Sequence, residues 1–285
     1  MQQITKNVYA ETKIRGCNPG IVFTAEGAVF IDTAQWITNL LEMIRFAKER
    51  GPIRYLINTE SHIDHIFGNH WFVNECPVIG HEKLKDTFWK IPAAFNKTTY
   101  DYMVDVISRQ DPEGLPLMPK EEDYIQNPPS ITFSDRMTIR LGEHTFKLLY
   151  TPGHSDANVS VFIPEERVVF VGDTIFAGCQ IWLHTVEPDA LFHTLDTINS
   201  LDVDYIVPGH GPVVGKACIF EQKQFLYDWF SAVSDGIRRG WSKEECVARI
   251  SFADRCPVDI GQPEEMDYIQ TCNVRVAYDY LTGKR

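Results

Sequence analysis

The sequence predicts an α/β fold in which helices cover the outer faces of β-sheets. Short apolar runs rich in β-branched and aromatic residues recur as far as His210, and this composition is typical of buried strands. Apolar residues within Trp36–Arg50 recur at intervals of three and four, which predicts an amphipathic helix. The same helical spacing returns after Lys216. A strand-rich body is therefore expected to precede a helical tail.

The strands are predicted from apolar runs bounded by glycine, proline or polar residues. They are Gly20–Ala25, Ala28–Thr33, Arg54–Thr59, Met137–Leu141, Thr145–Tyr150, Asn158–Ile163 and Arg167–Gly172. The early runs are neighbours that suit hairpins, whereas the later ones alternate with helices. We therefore expect more than one sheet.

The chain divides into a main domain over residues 1–215, with an insertion over 82–130, and a helical C-terminal extension over 216–285. Within the insertion, Lys83–Ile107 is expected to be mostly helical, and the five prolines of Asp111–Ser130 predict a long loop. In the extension, Gly240 is expected to end one helix and Ser242 to begin the next in a capping box. A last helix is predicted around Glu264–Leu281.

Composition excludes several classes of function. The net charge of −12 disfavours binding to nucleic acid, because phosphate backbones would be repelled. No apolar run reaches the ~18 residues of a membrane span, so no membrane association is expected. Seven scattered cysteines and an N-terminus without a secretory pattern favour a reducing, cytoplasmic setting. The expected partner is a small-molecule substrate, and the aromatic residues of the insertion and extension are compatible with a homodimer.

The segment Asn58–His70 carries four potential metal ligands at the end of a predicted strand. They are Glu60, His62, Asp64 and His65. Alternation along an extended chain would direct the first three to one side, and His65 to the other. A solvated turn with hydrogen-bonded histidines is the alternative interpretation of this segment alone.

Three further segments each place one potential ligand after a strand and a glycine. His154 lies in TPGHS, Asp173 in FVGDTIF and His210 in VPGHGP. A single segment of this kind would be weak evidence, since strand-end histidines and aspartates are common. Four in one chain favour a metal centre.

The segments TESHIDH, TPGHS, GDTIF and PGHG, in that order, resemble the metallo-β-lactamase-fold superfamily. The signature of that superfamily is HxHxDH followed by a His, a bridging Asp and a final His, and Asp32 in VFIDT also matches its pattern. The resemblance spans about residues 18–215. It implies an αβ/βα sandwich, with a catalytic domain over 1–215 and a dinuclear metal centre at one edge.

Carried over residue by residue, the resemblance implies two metal sites. The first ion would be bound by Glu60, His62 and His154. The second ion would be bound by Asp64, His65 and His210, and Asp173 would bridge the two. Glu60 departs from the family, which usually has a histidine there. Two zinc ions are expected. Because a carboxylate suits harder ions, iron or manganese are alternatives at the Glu60 site.

The resemblance implies a metal-dependent hydrolase that cleaves a small soluble ester, thioester, lactone or amide through a metal-bound hydroxide. Asp64 is expected to orient the nucleophile, and His184 is a candidate contact to substrate or proton donor. Two alternatives remain open: an iron-dependent oxidoreductase or oxygenase on the same fold, and a non-catalytic ligand-binding or regulatory protein.

A few other residues near the motifs are interpreted more simply. Cys17 and Cys179 are expected to be small apolar residues. His70 is a candidate for a hydrogen bond near the ligand loop, and Trp182 and Tyr205 are candidates for the pocket wall.

Overall fold

Two β-sheets form the centre of the protein. The computed structural model describes residues 1–87, 98–256 and 266–284. The strands, in chain order, are β1 (Gln2–Gln3), β2 (Val8–Ala10), β3 (Gly20–Thr24), β4 (Gly27–Ile31), β5 (Ile53–Ile57), β6 (Val78–His81), β7 (Ile131–Phe133), β8 (Arg136–Leu141), β9 (His144–Tyr150), β10 (Val159–Ile163), β11 (Val168–Phe170) and β12 (Tyr205–Val207). All seven predicted strands are present, with bounds that differ by at most two residues.

The first sheet has seven strands in the order β1-β2-β3-β4-β5-β6-β7, and the second has five in the order β12-β11-β10-β9-β8. The pairs β4–β5, β5–β6, β6–β7 and β11–β12 are parallel, and the other pairs are antiparallel. Both sheets are therefore mixed. Five short strands, β1, β2, β6, β7 and β12, are absent from the predictions because two to four residues cannot display a clear alternation.

Helices lie outside both sheets. They are α1 (Ile37–Lys48), α2 (Ile63–Ile66), α3 (Leu84–Thr87), α4 (Thr99–Gln110), α5 (Pro188–Ser200), α6 (Ala217–Arg238), α7 (Lys243–Arg249) and α8 (Met266–Leu281). Helix α1 confirms the helix predicted over Trp36–Arg50. Ser242 caps α7 in the predicted capping box, and Gly240 has a φ of +81° just after α6. Residues 88–97 of the insertion, and Glu264 of the predicted last helix, lie outside the described residues.

The core consists of layers that follow the period-two alternation of the strands. Val22 and Val29 of the first sheet pack against Val161 and Phe170 of the second. On the outer face of the first sheet, residues including Phe30 pack against α1. On the outer face of the second sheet, the buried residues that pack together are Phe162, Val169 and Ile206 from strands, Leu191 and Leu195 from α5, Ile219 from α6 and Val276 from α8. The architecture is the expected αβ/βα sandwich.

The helical extension contributes to two cores. Helices α6 and α8 cover the second sheet, while Trp229, Val233, Cys246 and Val274 form a separate cluster among α6, α7 and α8. The boundary at residue 215 stays a prediction. Among the described residues, no helix has the length and apolar character that crossing a bilayer requires.

Candidate metal centre

The candidate ligands lie in four loops at one edge of the sandwich. These loops follow β5, β9, β11 and β12. A hydrogen bond from the backbone N–H of Val159 to the carbonyl of Thr59 (2.7 Å) joins the two sheets at this edge. Asn18 donates from its side chain to the carbonyls of Pro208 (2.9 Å) and Gly211 (2.7 Å), which fastens the last loop to the first sheet. The loops are therefore held by backbone contacts as well as by the cluster itself.

The first loop differs from its expected conformation. The chain is extended at His62 but turns into the short helix α2 at Ile63. Asp64 and His65 are therefore neighbours on a helical turn, and the prediction of an extended chain through Asp64 is wrong. A helical turn rotates consecutive side chains by about 100°, which separates these two without an extended backbone.

One group of donors contains Glu60, His62, His154 and Asp173, with donor atoms all within 4.8 Å of one another. Oε2 of Glu60 lies 2.9 Å from Nδ1 of His62. Nε2 of His154 lies 3.4 Å from the same His62 nitrogen. These are the residues expected at the first metal site.

A second group contains Asp64, His65 and His210, again with donor atoms within 4.8 Å. Oδ2 of Asp64 lies 3.6 Å from Nε2 of His210 and 3.9 Å from Nε2 of His65. These are the residues expected at the second site.

Asp173 lies between the two groups. Its Oδ1 is 3.1 Å from Nε2 of His65, and its Oδ2 is 3.3 Å from Nε2 of His210 and 3.5 Å from Nε2 of His154. One carboxylate thus contacts imidazoles from both groups. This placement suits a ligand shared by two ions.

Asp32 orients the ring of His65 through Nδ1, the ring nitrogen that points away from Asp173. Its Oδ2 lies 2.9 Å from Nδ1 of His65, and the backbone N–H (2.7 Å) and hydroxyl (2.5 Å) of Thr59 donate to its two oxygens. Asp32 adopts a φ of +55°, which is uncommon for a residue other than glycine. With Nδ1 of His65 donating to Asp32, its Nε2 presents a lone pair to the cluster.

Two glycines allow the loops to approach each other. A Cβ on Gly209 would clash with Oδ1 of Asp173. Gly172 has a φ of +51°, and a Cβ there would lie 2.6 Å from Oγ1 of Thr59. Side chains at these positions would therefore separate the carboxylate of Asp173 from its neighbours.

The donor set fits divalent metal ions. Both carboxylate oxygens of Glu60 are buried without a well-aligned hydrogen bond, although Oε1 lies 3.1 Å from Nε2 of His65 and Oε2 lies 2.9 Å from Nδ1 of His62. A lone pair of His65 that faces carboxylate oxygens at this distance is repulsive unless a cation or a proton lies between them. Imidazoles with carboxylates suit zinc, and also iron and manganese.

Burial and neighbouring charges shift the pKa values of the clustered side chains. Burial and the charge of Asp173 raise the pKa of Glu60. Burial lowers the pKa of His62, but the charge of Glu60 outweighs this and raises that pKa to about 9. Burial holds the pKa of His154 well below its usual range. For Asp173, burial is outweighed by His210 and His65, which hold the pKa of that carboxyl well below its usual range.

Cys17 lies beside the cluster, and its thiol donates hydrogen bonds to the backbone. Its Sγ lies with Asp32 and His65 in a third compact group. The thiol donates to the carbonyls of Asp64 (3.1 Å) and Thr33 (3.4 Å), and burial raises the pKa of Cys17. We assign no metal there, because Asp32 already accepts from Thr59 and the thiol is protonated. Cys179 packs in the apolar core, as expected.

The other candidates divide between the site and the scaffold. The ring of His184 lies 5.0 Å from that of His62, and Trp182 packs on His184 at 4.2 Å. His70 instead accepts a hydrogen bond from the backbone N–H of Ile125 (3.0 Å), so it supports the proline-rich loop. Tyr205 lies on β12 and is 42% exposed.

Two residues that contribute to the site, Thr59 and Cys17, were not predicted from the sequence. Thr59 is an ordinary strand-end residue in sequence, and only its bonds to Asp32 reveal its role. Cys17 was assigned to packing alone, and its contact to the ligand loop depends on the fold.

A family model for the metallo-beta-lactamase superfamily matches residues 13–210, a range that includes all four loops. The chain belongs to the metallo-beta-lactamase superfamily. Its resemblance to that superfamily, inferred from the motifs, is thereby confirmed. The fold agrees with a solved metallo-beta-lactamase family protein from Thermus thermophilus, with a TM-score of 0.66 and 18% identity over 99% of this chain and 95% of that one.

Two curated relatives match the chain over part of their length. A beta-lactamase-like protein 2 homolog from Caenorhabditis elegans is 28% identical over 233 residues, which cover 76% of this chain and 66% of the relative. A hydroxyacylglutathione hydrolase from Maricaulis maris is 38% identical over 73 residues, covering 25% of this chain and 28% of the relative. The chain thus matches less than two thirds of the length of these relatives.

Proposed function

We propose that this chain is a metal-dependent hydrolase of small esters, thioesters, lactones or amides. The observation that carries the proposal is the placement of Asp173, which contacts His154 in one donor group and His65 and His210 in the other. Membership of the superfamily and the hydrolase names of relatives support the reaction class. The proposed ligands are Glu60, His62 and His154 for one ion, Asp64, His65 and His210 for the other, and Asp173 for both.

The metals are proposed to be two divalent cations, with zinc at the site of Asp64 and zinc, iron or manganese at the site of Glu60. When bound, such cations polarise the scissile carbonyl and lower the pKa of the attacking water. The carboxylate of Glu60 favours harder ions at the first site.

Asp64 is the proposed proton acceptor. Its side chain is 14% exposed, whereas those of Glu60 and Asp173 are 0% and 6% exposed. Its Oδ2 faces His65 and His210, which leaves Oδ1 to orient the attacking water and take its proton. The water oxygen bonds to the carbonyl carbon, and the bond to the leaving group breaks.

His184 is the proposed proton donor to the leaving group. Its ring contacts His62 but lies outside both donor groups. The leaving group departs with the bonding electron pair and takes up one proton, which His184 supplies and later regains from solvent, while Asp64 releases to solvent the proton it took from the water. A cytoplasmic location is proposed on the basis of seven free cysteines.

Metal analysis and a substrate panel test the proposal together. The purified protein should contain close to two equivalents of divalent metal, and chelation should abolish hydrolysis of acetyl thioesters, aryl esters and lactones until metal is restored. Iron with visible absorption and oxygen consumption would support the redox alternative instead. A protein that binds no metal would refute both.

A further inference from the structure

A cavity of about 360 Å³ lies beside the candidate metal centre, along helix α8. One stripe of α8 lines it, at the spacing of a single helix face: Tyr268, Thr271, Cys272, Arg275, Val276 and Asp279. The volume falls within the range of about 300–1,000 Å³ that is typical of small-ligand sites. The stripe combines polar, charged and apolar groups, as such sites do.

His184 connects this cavity to the metal centre. It lines the cavity, and its ring lies 5.0 Å from the ring of His62 and 6.0 Å from that of His154. A substrate whose scissile bond lies at the donor cluster would therefore place its leaving group past His184, towards α8.

The two walls of the cavity are fixed relative to each other. Asn273 is fully buried; its side chain accepts from the backbone N–H of Leu183 (2.8 Å) and donates to the carbonyl of Ile181 (2.9 Å). These bonds join the middle of α8 to the residues just before His184. The cavity is thus a built part of the fold.

Positive charge is concentrated at this cavity in a chain of net charge −12. Among the residues that the structure describes, Arg275 and Lys284 line it, together with one carboxylate, that of Asp279. Asp279 is already paired with Lys243 (2.6 Å). Arg275 pairs with Glu244 at 3.3 Å, but these side chains are 45% and 71% exposed, so the pair contributes little and can be exchanged.

We propose that the cavity along α8 binds an anionic leaving group, so that the preferred substrates are esters or thioesters whose leaving group carries a carboxylate. Arg275 exchanges Glu244 for the substrate carboxylate, since a guanidinium matches carboxylate geometry with two parallel hydrogen bonds. Lys284 adds a second positive charge. This inference rests on the proposed hydrolase function and assigns its substrate class.

Three acetyl thioesters with matched acyl groups test the charge preference. They are those of 3-mercaptopropionate (anionic), N-acetylcysteamine (neutral) and thiocholine (cationic). We expect kcat/KM to fall in that order, with about a tenfold advantage of the anionic over the neutral thioester, mostly through KM. Arg275→Gln should remove most of this advantage, and Lys284→Gln should reduce it.

Two matched controls separate anion binding from a structural ion pair. Glu244→Gln breaks the same pair as Arg275→Gln but leaves the guanidinium free, so it should maintain or increase the preference for the anionic thioester. Arg249→Gln removes an exposed arginine that pairs with Glu245 at 3.6 Å and does not line the cavity, so the preference should be unchanged. If Glu244→Gln and Arg275→Gln reduced the preference equally, the inference would be overturned.

A binding measurement distinguishes failure of the inference from failure of the proposed function. Calorimetric titration with 3-(methylthio)propionate, which cannot be hydrolysed, should show binding that Arg275→Gln weakens about tenfold. If that binding persisted while none of the acetyl thioesters, aryl esters and lactones was hydrolysed, the proposed function would be wrong and the anion site would stand. Equal kcat/KM for all three thioesters, with no binding that depends on Arg275, would refute the anion site.

Discussion

Replacing Glu60 by alanine is expected to empty one of the two proposed metal sites and leave the other filled. Glu60 is fully buried, and its oxygens face the imidazoles of His62 and His65 without a well-aligned hydrogen bond. It belongs to the donor group of His62 and His154 but not to that of Asp64. The substitution therefore removes one of four donors from the first group and none from the second.

The size of the effect follows from the position of the carboxylate. Loss of a partner that merely orients a metal ligand costs about 10–100-fold in affinity. Loss of a direct ligand should reduce metal affinity by more than about 100-fold, which corresponds to more than about 2.7 kcal/mol of binding free energy. Affinity at the second site should change by far less, because Asp64, His65, His210 and Asp173 are all retained.

Elemental analysis after equilibration with a competing chelator measures both sites. Wild type should retain two equivalents of metal and Glu60→Ala one, with Glu60→Gln as a variant of conserved shape. Asp111→Ala is the matched control, because Asp111 is also a buried carboxylate but binds the backbone (3.0 Å) and hydroxyl (2.8 Å) of Thr38. Identical stoichiometry and affinity in wild type and Glu60→Ala would show that Glu60 is no ligand.

Three further outcomes are expected. Asp173→Ala should abolish hydrolysis, whereas His184→Ala should retain about 10⁻² to 10⁻³ of kcat, because loss of one donor to a developing charge has an effect of this size. Comparable residual kcat values for the two variants in steady-state assays would contradict this order. Metal affinity at the first site should rise with pH up to about 9 and then level off, because His62 with its raised pKa must lose a proton before it binds metal. Metal affinity that stays constant from pH 7 to 9 in a competition titration would argue against His62 as a ligand. Asp111→Ala should lower the free energy of unfolding in urea by about 1–2 kcal/mol through loss of its bonds at the start of α1, with metal content unchanged.

The strands and long helices were predictable because their signals are local. The alternation in β10 places Val161 in the core between the sheets and Phe162 on the outer face, and the stripe in α1 covers the first sheet. The strand order was not predictable. The pairing of β12 beside β11 depends on the crossover through α5, a helix that the sequence analysis did not identify.

The candidate ligands were predictable as residue types at strand ends, since each follows a strand, and glycines precede three of them. Their distances were not. The contact of Asp173 with His65 joins positions 108 residues apart and depends on the packing of two sheets. The helical turn at Asp64 also escaped prediction, because four residues carry too weak a local signal.

The sequence by itself determined the family, the candidate donor residues and the departure at Glu60, because a ligand motif records which atoms can bind a cation. Only the tertiary structure decided how Asp32 orients His65, and that Asn273 of α8 is bonded to the backbone of Leu183, 90 residues away. That second contact places Arg275 in a cavity beside the centre. Contacts of this kind arise from the packing of distant segments, and packing depends on the whole set of buried surfaces and not on any local pattern.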